Sequence, residues 1–160
     1  MKRFVIALLL AAALPWPVLA AGQPQPRGCF TKSEEAAEQM VRLGLHLREG
    51  ARGCDGAPWY AGTQTLWDQV DKKFGPQFLA QTQKRKAAFV REFTDDAENR
   101  LGQWNGRIVT SFRNYPLSPE ICGEIKTSLE DMLSRGWNSF SRQAVKAKDN
   151  VQMDYRVCGQ

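Results

Sequence analysis

The sequence predicts an all-α fold: an up-down four-helix bundle with a short second helix and two disulfides. Three observations predict it. Apolar residues recur at three- and four-residue steps from about residue 31 to residue 144, the period of a helix face turned to a core. No segment sustains the period-two alternation of a half-buried strand. Capping and turn residues cut the pattern into helix-length pieces.

The first twenty residues read as a secretory signal peptide rather than as part of the fold. Met1-Lys2-Arg3 is a positive start, Phe4 to Leu14 an apolar run, and Val18-Leu19-Ala20 a small-residue cleavage site. Cleavage after Ala20 leaves about 140 residues, the length of one domain. Removing Lys2 and Arg3 lowers the formal charge from +5 to +3. The nearest cysteine to the cut, Cys29, lies too far away for a lipoprotein anchor, and no later segment is apolar for the 18 or more residues a membrane span needs. The expected location is the periplasm or the exterior. Residues 21–28, AGQPQPRG, read as a flexible leader.

The first helix opens on a capping box, Thr31-x-x-Glu34. Ala36, Met40, Leu43, Leu47 and Ala51 line one face, and Gly53 can end it. DGAP, residues 55–58, is a turn. A short second helix is expected from Trp59 to Phe74, stopped by Gly75-Pro76. A third follows from Pro76 to Phe112, with Leu79, Thr82, Phe89 and Phe93 on its core face and Lys86 as an exception. A bend is expected between Gly102 and Gly106. Ser118-Pro119-Glu120 starts the fourth helix, with a cap, a first-turn proline and an acid. Ile121, Ile125, Leu129, Met132, Trp137 and Phe140 form its buried stripe. From about residue 147 the chain is a polar tail.

Four cysteines in an exported chain read as two disulfides, and their wide spacing argues against zinc. Cys29 and Cys54 bracket a helix roughly 30 Å long, and bonded cysteines need Cα atoms within about 7 Å. They cannot pair with each other. In up-down order the fourth helix starts beside the end of the first, which favours Cys54–Cys122 and Cys29–Cys158. If the third helix folds back at Gly102, Cys29–Cys122 and Cys54–Cys158 result instead.

No constellation carries an evident chemistry. Nucleophile-elbow, zincin, P-loop, dinucleotide and haem-attachment patterns are absent from the sequence. The one histidine, His46, flanks the apolar stripe of the first helix. The carboxylates that could serve a glycan hydrolase, Glu34/Glu35, Asp95/Asp96/Glu98 and Glu120/Glu124, fall in first turns and on charged faces, where capping and salt bridging are the expected roles. No cofactor and no metal site is expected. Residues 72–113 hold nine Lys/Arg against four Asp/Glu. Lys84, Arg85 and Lys86 are therefore candidates for docking onto an acidic protein or an anionic envelope component, with nucleic acid excluded by location. Trp59-Tyr60, beside Cys54, is the second candidate, since exposed aromatic pairs anchor partners.

The stretch "CFTKSEEAAEQMVRLGLHLREGARGC", with "FVREF" and "PEIC" further on, resembles small exported all-helical, cysteine-containing alphaproteobacterial proteins without an assigned function. The resemblance implies location and fold class and no mechanism. The function expected is that of an exported, non-enzymatic binding or accessory protein of the cell envelope. The alternative is a small glycan-cleaving envelope hydrolase.

Overall fold

The computed structural model describes residues 28–147 and 155–159. The expected signal peptide, most of the leader and part of the tail lie outside these residues. Among the described residues five α-helices follow in order: α1 Lys32–Asp55, α2 Thr63–Phe93, α3 Ala97–Arg113, α4 Pro119–Arg135 and α5 Trp137–Lys146, with a 3-10 turn at Thr94–Asp96. Among the described residues the only β-type pairing is an isolated bridge between Phe30 and Val157. The chain is an all-α, bundle-like fold.

The capping box forms as the sequence dictates. The Thr31 hydroxyl accepts from the Glu34 amide at 3.3 Å, and the Thr31 amide donates to Glu34 Oε2 at 2.8 Å. Ser118 caps α4 in the same way, accepting from the Ile121 amide at 3.2 Å with Pro119 in the first turn.

The helix boundaries differ from expectation at two places. The second helix is the longest, not a short one: it runs through Gly75-Pro76 without stopping. A proline inside a helix costs about 3 kcal/mol or more. Here Pro76 points to solvent, so the carbonyl one turn back that it leaves unbonded faces water. Phe74 and Phe78, on either side, pack into the core and hold the helix together. The break comes at Thr94–Asp96 and not at Gly102–Gly106. Both glycines sit exposed within α3, where each costs only about 1 kcal/mol relative to alanine. Thr94, at φ 47°, and the Asp-Asp after it supply the turn. The expected fourth helix is likewise divided, at Gly136 with φ 77°, a left-handed backbone that glycine adopts freely.

α1 and α2 form a long antiparallel pair with two cores along it. The first core joins Leu47, Ala51, Trp67, Val70 and Phe74 to Ile125, Leu129 and Met132 of α4 and Phe140 of α5. The second joins Phe30, Phe89 and Phe93 to Trp104, Ile108 and Phe112 of α3 and to Tyr155 near the C-terminus. Small residues of α1 let its neighbours approach closely. A Cβ on Gly44 would lie 2.6 Å from the Phe78 ring, and one on Gly53 2.8 Å from Leu117.

The disulfides are Cys29–Cys158 and Cys54–Cys122, the pairing that the up-down order favours. Cys54 and Cys122 tie the end of α1 to the start of α4. Cys29 and Cys158 clasp the C-terminal segment to the start of the domain. There Phe30 donates its amide to Arg156 O at 2.9 Å and Cys158 donates to Phe30 O at 2.8 Å.

Candidate functional site

The basic run of α2 divides between inside and outside. Arg85 faces inward and is 2% exposed. Its guanidinium donates to Glu38 Oε2 at 3.3 Å and also to Asn105 Oδ1. It is a structural cation, and its charge is not available to a partner. Lys84 and Lys86 are exposed, and Lys86 reaches Glu98 at 3.2 Å across open surface. Such an exposed pair contributes at most about 1 kcal/mol and leaves the lysine free to exchange partners.

Helical geometry adds residues to this face. Lys72, Leu79, Lys86 and Val90 recur at steps of seven, seven and four, so they line one stripe. All four are exposed, Leu79 to 57% and Val90 to 47%. From Lys72 to Arg91 the chain contains no acidic residue. The outer face of α2 therefore places two exposed aliphatic side chains among lysines.

Trp59 and Tyr60 differ in their surroundings. Trp59 is half-buried and packs against the first core, while Tyr60 is 73% exposed at φ 46°. The turn that carries them is held by hydrogen bonds from the Trp59 and Tyr60 amides to Gly56 O and from the Ala61 amide to Cys54 O. α2 carries Lys84 about 30 Å from its own first residue. Tyr60 and the lysines are thus separate features of the surface.

Four of the carboxylates, Glu34, Glu38, Glu49 and Asp96, are held by arginines. Glu38, fully buried, accepts hydrogen bonds from Trp104 Nε1 at 2.8 Å and from Arg85 at 3.3 Å, and forms an ion pair with Arg42 at 3.3 Å. Glu49 accepts from Arg113 and Arg48, each at 2.7 Å. Burial is the largest single influence on Glu49 and raises its pKa, but the hydrogen bonds and charges of Arg113 and Arg48 outweigh it and leave the group below its usual range. At the start of α1 the Arg91 hydrogen bond is the main cause that holds Glu34 down at about 2. Asp96 is lowered by Asn99 and Arg100, and Glu120 by its own backbone amide and the Ser118 hydroxyl. Glu34, Glu49, Asp96 and Glu120 are each stabilised in the ionised form. Tyr155 shifts the other way: burial, and then the Glu38 charge, push its phenol above the ordinary range.

One cavity of about 160 Å³ opens between α1 and α4. Leu43, Leu47, Ile121 and Ile125 form its aliphatic wall, and His46, Tyr115, Glu124 and Ser128 give it polar atoms. Spacings of three and four residues on both helices turn these side chains to a common side. The His46 ring meets Phe112 and Tyr115 edge-on, with centroids 5.0 and 5.7 Å away. Among the described residues no group of three or more His, Cys, Asp or Glu side chains is placed to hold a metal ion, and no helix is long and apolar enough to cross a membrane. Comparison with protein-family models, curated proteins and solved structures finds no match to the chain.

Proposed function

We propose that this chain is an exported, non-enzymatic binding protein of the cell envelope that attaches to an anionic envelope surface through the outer face of α2. The observation that carries the reading is the acid-free stretch from Lys72 to Arg91, which presents Lys72 and Lys86 on one stripe with exposed Leu79 and Val90, and Lys84 on its flank. The two disulfides support export, because such bonds persist in oxidising compartments. Three of the candidate acids support binding over the hydrolase alternative. A glycan-cleaving general acid needs a raised pKa, whereas Glu34, Asp96 and Glu120 are shifted downward.

Each lysine near an anionic bilayer contributes about 1 kcal/mol. Changing Lys72 and Lys86 together to glutamine is therefore expected to weaken binding to phosphatidylglycerol vesicles by about 30-fold at low salt. Co-sedimentation measures this. The wild-type protein is expected to bind these vesicles, to release them as salt rises and to ignore phosphatidylcholine. Equal binding to both lipids, or no loss in the double variant, contradicts the proposal.

A further inference from the structure

We infer that the cavity between α1 and α4 is a binding site for an alkylammonium group, a primary amine on a short aliphatic stem. This site is separate from the outer face of α2, and neither proposal depends on the other. Size sets the first limit. At about 160 Å³ the cavity has room for about five waters and lies well below the roughly 300–1,000 Å³ of sites that enclose a drug-sized molecule. It suits one unbranched chain end.

The lining sets the chemistry. Leu43, Leu47, Ile121 and Ile125 offer an aliphatic wall that favours a methylene stem. The polar lining has one carboxylate, Glu124, and neither lysine nor arginine. The head group it favours is a cation. A carboxylate or phosphate would meet Glu124 as a like charge, and an uncharged hydroxyl, though able to donate to the carboxylate, would forgo the ion pair. Tyr115, 43% exposed at the same cavity, adds a ring that attracts ammonium through its quadrupole. The Ser128 hydroxyl adds an acceptor for a head with three N–H donors, and the His46 ring forms part of the wall.

The test titrates isotopically labelled protein with n-pentylammonium chloride, 1-pentanol and sodium pentanoate, and follows the amide resonances. Pentylammonium is expected to give saturable shifts at residues 43–47 and 121–128, with 1-pentanol at least tenfold weaker and pentanoate without effect. Glu124→Gln, at an exposed position, is expected to bring pentylammonium down to the level of pentanol. Ser128→Trp, which fills the space, is expected to abolish both. Equal affinity for pentylammonium and pentanol in the wild type, shifts centred elsewhere, or no saturable shift overturns the assignment. A capped Gly-Lys-Gly peptide distinguishes the source of the group. Competition by the peptide supports a lysine side chain on a polypeptide as ligand, and binding of the free amine alone supports a small-molecule amine.

Discussion

Arg85→Met is expected to lower the unfolding free energy by about 3 kcal/mol, because it leaves the buried Glu38 carboxylate short of a countercharge. Glu38 is 0% exposed and holds one hydrogen bond from Trp104 and ion pairs with Arg42 and Arg85. Breaking such a pair by removing one partner costs about 3–5 kcal/mol, far more than the pair's net worth. Arg42 remains in the variant, which places the loss at the lower end. Adding Glu38→Gln is expected to restore part of it, since the amide oxygen can still accept from Trp104 and no carboxylate is left buried short of a countercharge, while Arg42 gives up its ion pair. Urea unfolding of the wild type, both single variants and the double variant closes the cycle. A midpoint for Arg85→Met that corresponds to less than about 1 kcal/mol contradicts the countercharge role.

Replacing Cys29 and Cys158 by serine is expected to be still more damaging. The two residues are 129 apart in sequence, and in the chain-entropy model closing so long a loop contributes about 4–5 kcal/mol. Cys54–Cys122 already restricts the unfolded chain, so the expected loss is about 3–4 kcal/mol. Part of that loss is local. The clasp holds Tyr155 stacked on Phe30, with ring centroids 3.7 Å apart, and Tyr155 in turn meets Phe89 and Trp104 at 5.5 and 5.8 Å. Without it residues 155–159 are expected to leave the second core, and the Trp104 emission to shift to the red as water reaches the ring. A variant that unfolds at the wild-type midpoint with unchanged emission shows that the C-terminal contacts need no clasp.

The helical class and the disulfide pairing were legible because both follow from coarse quantities. Period separates helix from strand, and the length of α1 alone forbids Cys29–Cys54. The phase of α2 was harder to read. Placing Leu79 and Lys86 on the core stripe turns the helix slightly wrongly. Phe74, Phe78, Arg85, Phe89 and Glu92 show the true inner face, which buries an arginine and a glutamate. A periodicity count treats a charge as a mark of the outside, and only the position of Glu38 on another helix makes Arg85 an inside residue. The same phase error hid the exposed Leu79 and Val90. Pro76 misled for a related reason: a proline at helical spacing fits a first turn as well as a tolerated kink, and tertiary packing of Phe74 and Phe78 decides between them. Of the cavity, His46 was visible as a residue beside the apolar stripe. Its company of Tyr115, Glu124 and Ser128 depends on how α4 lies along α1, which no local pattern encodes.

Export and the two staples are the premise of the binding proposal, and the intact mass of the protein recovered from its native cells tests them together. The sample is denatured without reductant and exposed to a thiol-alkylating reagent. The expected mass is that of a chain beginning at Ala21, four hydrogens lighter than the reduced form and carrying no alkyl group. A chain that retains residues 1–20 and gains four alkyl groups contradicts both export and the disulfide clasp.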